Sequence, residues 1–304
     1  MKKIRGYISA LASAILFGCG AIMISAAMAR GTNAATVCIL RGITFIVSLI
    51  VPIKNNHFSL RLTKKQYFHM IPVLGAAAMT NAVLNLAYVY LPTGVASSIH
   101  FVYPVIVAAA EAILFRSHIN KTIIPFLAVS TIGIILQADL CEAVSVSGIA
   151  IALLSSLFWS CYILCFDHSN LRKIHPFVLN FYQGIMLIII GSLWLLVEGD
   201  SFTVPDVACL ILIVGDGVIA GVVAHILLQA GIAVLGGPQV AVMSVMEPAT
   251  SLGLSALFLR QFLSVRQWSA CIVILGSSLG LIVMETLRTI RQANAVHLIN
   301  RKGS

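Results

Sequence analysis

A carboxyl group in an apolar part of the sequence has the chemistry of a solute-binding group. Glu247 lies in a long uncharged segment, directly before Pro248. A buried carboxyl can bind an amine when it is ionised and carry a proton when it is neutral. Because proline lacks an N–H and clashes with the carbonyl one turn earlier, it interrupts a helix and leaves backbone oxygens available to a solute or an ion. We interpret Glu247 as the leading candidate, with a structural carboxyl paired to His100 or His225 as the alternative.

Two further segments carry polar stripes at helical spacing. Asn81, Asn85 and Tyr88 follow an i, i+4, i+7 pattern, and His225 and Gln229 repeat the first two positions of that pattern later in the chain. Polar side chains are costly in hydrocarbon, so they usually face a cavity or a partner. We expect both stripes to line a central cavity; hydrogen bonding between helices is the alternative.

Three rings and one imidazole complete the candidate solute-binding set. His100 and Tyr103 are spaced i, i+3, and Tyr103 occupies the place in the first half of the chain that Glu247 has in the second. The aromatic pair Phe17 and Trp159 could sandwich an apolar or cationic solute, whereas packing is the usual role of such residues.

One cation and one further carboxyl also fall inside apolar segments. Arg41 and Asp216 would neutralise each other if they met, and we expect a structural pair rather than a solute-binding role. Asp216 precedes His225 by nine residues, which predicts that the two side chains face nearly opposite sides of a regular helix.

The composition indicates that these residues sit in a membrane. The 304 residues are 60% hydrophobic and 10% charged, with a mean hydropathy of +1.02, whereas soluble domains carry about 25% charged residues. In lipid, apolar segments must be helical because each backbone polar group needs an internal partner. The apolar runs predict ten helices, at 6–29, 34–53, 67–90, 93–115, 122–138, 147–166, 175–197, 206–230, 238–259 and 267–287.

The basic residues predict the orientation and exclude a nucleic-acid partner. The formal charge is +9, but Lys and Arg cluster at segment ends on the side of the N-terminus, while the other side carries Arg30, Arg260 and Arg266. By the positive-inside rule both termini are cytoplasmic, in the cell (inner) membrane. The cysteines show no metal-ligand spacing, so we expect no metal, no cofactor and no disulfide framework.

An internal repeat organises these segments. A shift of about 142 residues aligns the segment starting at Gly6 with that starting at Gly148, and Gly42 with Gly184. The repeat predicts domains at 6–138 and 147–287, followed by a cytoplasmic tail at 288–304. Five helices per half would force the second half to enter from the opposite side. The expected fold is therefore an all-α polytopic membrane protein, with two inverted five-helix repeats around a central cavity.

The pattern of the repeat resembles a known family. The serine- and aromatic-containing segments 6–17 and 148–159, and the Glu247-Pro248 element followed by a leucine-rich helix end, are similar to the ten-helix EamA-like branch of the drug/metabolite transporter superfamily. Where family members usually carry Gly-Glu, this chain has Arg260-Gln261 and, in the first half, Arg116-Ser117. The resemblance covers residues 6–287 and implies a basket of helices that opens alternately to each side.

These observations predict a secondary transporter for a small polar solute rather than an enzyme. No segment matches GxxxxGK[ST], HExxH or GxSxG, so neither ATP coupling nor a familiar hydrolytic cluster is indicated. Amino-acid or related metabolite export is the leading expectation, with proton coupling left open. Uptake or exchange of a nucleoside- or cofactor-like solute, multidrug export, and a non-transporting membrane partner subunit remain alternatives. The expected partners are the solute and the bilayer, and both a monomer and a homodimer remain open.

Overall fold

A computed structural model describes residues 2–91, 93–115, 122–137, 145–258 and 264–302, and these residues form helices and turns without a strand. The α-helices are α1 (Lys2–Met28), α2 (Ala34–Asn55), α3 (Lys64–Tyr90), α4 (Thr93–His100), α5 (Tyr103–Leu114), α6 (Ile123–Gln137), α7 (Val146–His168), α8 (Pro176–Glu198), α9 (Val207–Asp216), α10 (Ala224–Leu235), α11 (Gly237–Ser244), α12 (Met246–Phe258) and α13 (Val265–Lys302). The last helix continues beyond residue 287, where the apolar pattern predicts its end.

Eight helical segments among the described residues are long and apolar enough to span a membrane, two fewer than the sequence predicts; one of them comprises α4 and α5, and another runs from α9 to α10. The other two predicted spans contain α6, which is shorter, and the pair α11 and α12, which is interrupted at Val245. The span formed by α4 and α5 is interrupted in the same way at residues 101 and 102. Both interruptions lie within one turn before a proline, Pro104 or Pro248, as expected from the hydrogen bond that proline cannot donate.

Several of the spanning helices begin or end at recognisable caps. Thr63 and Gln66 form a capping box at the start of α3, and Asp206 accepts the N–H of Cys209 at the start of α9. Gly199 ends α8 with a positive φ of 70°, which glycine adopts without the clash a Cβ would cause. These caps fix the lengths of the helices that surround the centre of the molecule.

Helix packing pairs elements that are far apart in the chain. Helix α2 packs along α8, α3 along α7, α6 along α13, and α1 along α10 and α12. At the crossing of α2 and α8 the backbones meet at Gly42 and Gly184: a Cβ built on Gly42 would lie 2.5 Å from the carbonyl oxygen of Gly184, and the reciprocal distance is 2.7 Å. Only glycine permits this approach.

A π-helical segment, Gly217–Val223, joins α9 to α10. A π-helix carries more residues per turn than an α-helix, so the side chains after it are rotated relative to the regular pattern. The expectation that Asp216 and His225 face opposite sides was therefore wrong, because it assumed a regular helix: both residues line the same cavity.

Candidate functional site

A central cavity of about 460 Å³ lies among α1, α2, α3, α4, α7, α9, α10 and α12. Its wall extends from Phe17, in the middle of α1, to Ala29 at the end of that helix. The cavity therefore reaches the end of the bundle that carries the turn between α1 and α2. At the other end Tyr7, Tyr162, Leu228 and other side chains pack into a buried core, so the cavity is closed there.

Most of the residues predicted to bind a solute line this cavity. Asn81, Asn85, His100, His225, Glu247, Phe17 and Trp159 all contribute to its wall. Tyr103 and Gln229 do not; both are buried within the closed end. The side chain of Tyr88 lies outside the described residues.

Glu247 stands in the first turn of α12, immediately after the interruption at Val245. A carboxylate is favoured at a helix N-terminus because unpaired backbone N–H groups concentrate positive partial charge there. Among the described residues, none donates a hydrogen bond to this carboxylate, and neither His100 nor His225 is paired with it. Helix α1 passes close by, because a Cβ on Gly18 would lie 2.8 Å from the Glu247 carbonyl oxygen. The Glu247 side chain is thus a cavity-facing acceptor.

Backbone and hydroxyl partners orient both histidines. His225 Nδ1 lies 3.1 Å from the Ala220 carbonyl oxygen, which can only accept, so Nδ1 is the donor. His100 Nδ1 lies 2.9 Å from Ser155 Oγ, whose hydroxyl donates to the Ala152 carbonyl, so Nδ1 again donates. The Nε2 atom of each ring is left as the other hydrogen-bonding group.

An aromatic cluster forms the inner end of the cavity. The Phe17 ring meets Trp159 edge-on at 6.2 Å between centroids and His225 at 4.9 Å, and Trp159 meets His225 at 6.0 Å. Beyond it, Tyr103 packs 6.4 Å from Trp159 on the closed side. The cluster therefore separates the open volume from the closed core.

Arg41 and Asp216 lie side by side in the cavity wall. Arg41 Nε is 2.9 Å from Asp216 Oδ2, and Arg41 Nη1 donates to Asn81 Oδ1 at 2.8 Å. Asn81 in turn donates to the Ala77 carbonyl. Asn81 therefore holds the guanidinium, so its amide is already engaged before a solute arrives.

A glycine of α1, Gly20, makes room for Asp216. A Cβ on Gly20 would lie 2.5 Å from Asp216 Oδ1 and 2.3 Å from Ala220 Cβ.

Three polar residues that line the cavity were not singled out by the sequence: Thr80, Ser97 and Ser251. Helical spacing was an available signal for two of them, because Ser97 lies three residues from His100 and Ser251 four residues from Glu247; Thr80, directly before Asn81, had no such signal.

Gln229 takes part in a hydrogen-bonded network of the closed end. It accepts from Asn180 Nδ2 at 3.0 Å and donates to the Tyr162 hydroxyl at 3.2 Å. Nearby, Asp167 accepts the N–H of Gly237 at the turn between α10 and α11. Glu111 pairs with His168 at 2.9 Å.

The all-helical bundle, its spanning helices and its one-ended cavity define a multi-pass membrane protein with a central solute-sized cavity. Residues 146–283 match the EamA-like transporter family. This match covers a little under half of the chain; it is consistent with the drug/metabolite transporter superfamily and suggests a membrane transporter of that type. The family consists of transporters rather than enzymes.

A solved structure supports the fold. A chain titled only "Crystal structure of protein" matches with a TM-score of 0.77 at 13% sequence identity, covering 90% of this chain and 96% of its own. At this identity the likeness concerns the fold alone. No curated protein matches the sequence.

Proposed function

We propose that the protein is a secondary active transporter that exports an amino acid or a related small amine-bearing metabolite by alternating access. The observation that carries this proposal is the cavity, which is closed at one end and is lined by the carboxyl group of Glu247, without a hydrogen bond among the described residues, next to an aromatic cluster. An ammonium group would gain both a charged acceptor and aromatic ring faces there.

The packing pattern supports two inverted five-helix repeats, residues 6–138 and 147–287, within ten spans. Exchanging the halves maps α1 onto α7 and α3 onto the helix formed by α9 and α10. The contact of α1 with α10 then becomes the contact of α3 with α7, while the pairs α2–α8 and α6–α13 map onto themselves. The reciprocal contact of Gly42 and Gly184 lies at the centre of such a self-mapping pair.

Local details repeat with the same relation. Ser13 donates to the Ala10 carbonyl and Ser155 to the Ala152 carbonyl, one in each half. The interruptions at residues 101–102 and at Val245 also correspond. Inverted halves of this kind can exchange their conformations, which opens a central site alternately to each side.

The distribution of basic residues supports an outward-open cavity. With both termini in the cytoplasm of a cell whose inner membrane holds the protein, the turn between α1 and α2 faces outside, and the closed end faces the cytoplasm. Transport would then require opening of the core around Tyr162 and Gln229 and closure around the cavity mouth.

Glu247 gives this cycle a natural coupling group. One carboxylate can hold either a proton or an ammonium group, so a proton entering from outside can replace an exported amine. The stoichiometry of one proton for one amine follows if both use this group in turn.

The test is counterflow in proteoliposomes with and without a pH gradient, using pooled amino acids, amines, nucleosides and cationic drugs. Saturable exchange that Glu247→Gln abolishes supports the proposal, because Gln keeps the shape of the side chain and loses its charge. Glu198→Gln, at the exposed end of α8 and outside the cavity, serves as the matched control because it removes the same charge. Exchange that Glu247→Gln leaves unchanged would remove Glu247 from the cycle, and absence of exchange for every solute would favour a non-transporting partner subunit.

A further inference from the structure

Arg41 has more hydrogen-bond donors than its surroundings use. A guanidinium carries five N–H donors and no acceptor, and its side chain here is 12% exposed, towards the cavity. Among the described residues it makes one hydrogen bond, from Nη1 to Asn81. A largely buried guanidinium with unused donors is costly unless another group occupies them.

The contact with Asp216 does not satisfy these donors. Arg41 Nε and Asp216 Oδ2 are 2.9 Å apart, yet neither atom has a hydrogen-bond partner within the described residues. At that distance the failure is one of direction: the N–H does not point at the oxygen. The pair is thus held by charge attraction. Nε is buried beside Asp216, whereas Nη2, which makes no hydrogen bond among the described residues, remains available to a solute.

We propose that Arg41 binds the carboxylate of the transported solute through Nη2, so that the site selects a zwitterion whose amine lies at Glu247. This inference rests on the proposed function and specifies its substrate class. A guanidinium N–H donates a charge-assisted hydrogen bond to a carboxylate oxygen, which is stronger than a bond between neutral groups. Asn81 holds the guanidinium at Nη1, so Nη2 is positioned before the solute arrives.

Asp216 then acts as the anion that occupies the neighbourhood of Arg41 in the empty protein. It is 1% exposed and has no other cationic partner among the described residues. A solute carboxylate must compete with it for Arg41. Replacing Asp216 by Asn should therefore tighten binding of a carboxylate-bearing solute, whereas a purely structural pair predicts only a loss of stability.

The test compares three solutes of one skeleton: phenylalanine, phenethylamine, which lacks the carboxylate, and 3-phenylpropionate, which lacks the amine. Equilibrium binding is measured by scintillation proximity in detergent, which does not require transport, and counterflow is measured in parallel. Arg41→Lys keeps the charge and removes the guanidinium with its Nη2 donor, and Asp216→Asn removes the competing anion. Arg61→Lys, at an exposed position outside the cavity, controls for the substitution itself.

The wild type should bind the amino acid more tightly than the amine. Arg41→Lys should weaken binding of the amino acid by about 10- to 100-fold while changing binding of the amine little, and Asp216→Asn should strengthen binding of the amino acid. Three results would overturn the assignment. The wild type could bind the amine more tightly than the amino acid, Arg41→Lys could leave the ratio of the two affinities unchanged, or none of the three solutes could bind. Selective binding of the amino acid without counterflow would support the Arg41 site and reject the transport cycle. Counterflow that depends on Glu247, with the same ratio of affinities in Arg41→Lys as in the wild type, would support the transport cycle and reject the Arg41 site.

Because Arg41 and Asp216 are buried, either variant could fail to fold. Folding is checked by monodispersity on size exclusion and by thermal unfolding before binding is measured. The double variant Arg41→Gln with Asp216→Asn contains no buried charge at this site and keeps the inference testable. It should bind phenethylamine and lose the preference for phenylalanine; a retained preference contradicts the assignment.

Discussion

Alanine at Gly42 tests whether close backbone contact between α2 and α8 holds the two halves of the protein together. The added Cβ would lie 2.5 Å from the carbonyl oxygen of Gly184 and 2.7 Å from Ile188 Cγ1. A side-chain carbon can move by a rotamer change, but a backbone oxygen moves only with its helix. The two helices must therefore separate or tilt.

The size of the effect follows from this geometry. Ordinary carbon to oxygen contacts are about 3.3 to 3.6 Å, so the backbones must separate by roughly 1 Å. Overpacking of this kind costs about 1 to 3 kcal/mol, partly offset by the better helix propensity of alanine, about 0.5 to 1 kcal/mol. We expect a net loss of about 1 to 2 kcal/mol in the free energy of unfolding.

The assay is equilibrium unfolding in mixed micelles, with Gly276→Ala as the matched control. Gly276 also lies within a long helix, but a Cβ there meets no atom within 4 Å, so alanine should be neutral or slightly stabilising. Gly184→Ala should cost about as much as Gly42→Ala. The double variant should cost less than the sum, because the separation that accommodates one Cβ largely accommodates the other. Equal stability of Gly42→Ala and Gly276→Ala would refute the reasoning.

Three further outcomes are expected. Partial burial lowers the pKa of His175, whose Nδ1 accepts the N–H of Phe177 at the start of α8. The contribution of His175 to stability is therefore lost as the pH falls below the pKa of the unfolded state, about 6.5. His175→Asn should make the thermal unfolding temperature less dependent on pH across that range. The N–H of Cys209 holds the pKa of Asp206 below its usual value. The contribution of Asp206 to stability is therefore present above about pH 3.9 and is lost as the pH falls through the folded pKa. Asp206→Asn, which can still cap α9, should remove this loss of stability in acid. On a cysteine-free background, Gln229→Cys should react with a membrane-impermeant thiol reagent from the cytoplasmic side only when solute drives the cycle, and labelling that ignores solute would contradict alternating access.

The positions of most helices could be predicted because ten apolar runs are separated by charges, prolines and glycines. Their internal breaks were harder to place. Pro248 marked one interruption, yet the helix breaks at Val245, three residues earlier, because a proline removes a hydrogen bond to the preceding turn. The π-helical segment Gly217–Val223 left no periodic signal, so the face of Asp216 was misplaced.

Much of the candidate site was also within reach of the sequence, because buried polar side chains on apolar helices usually face a cavity. The sequence does not show which of these side chains form hydrogen bonds with one another. The stripe at Asn81 predicts cavity lining, and the structure does place it there, but its amide is bonded to Arg41. Conversely, the expected pairing of Arg41 with Asp216 gave no sign that most guanidinium donors would remain unused.

The different positions of Asn85 and Gln229 follow from the proposed inversion. In the proposed repeats these residues occupy equivalent places, yet Asn85 lines the open cavity and Gln229 is buried with Tyr162 in the closed end. In inverted repeats, equivalent positions extend towards opposite sides of the membrane, so one conformation exposes one member of each pair and buries the other. The same reasoning applies to Tyr103, whose equivalent, Glu247, faces the cavity. Residues of the stripe that are buried in this conformation are therefore expected to line the cavity when the cytoplasmic end opens, as a carrier with exchanging halves requires.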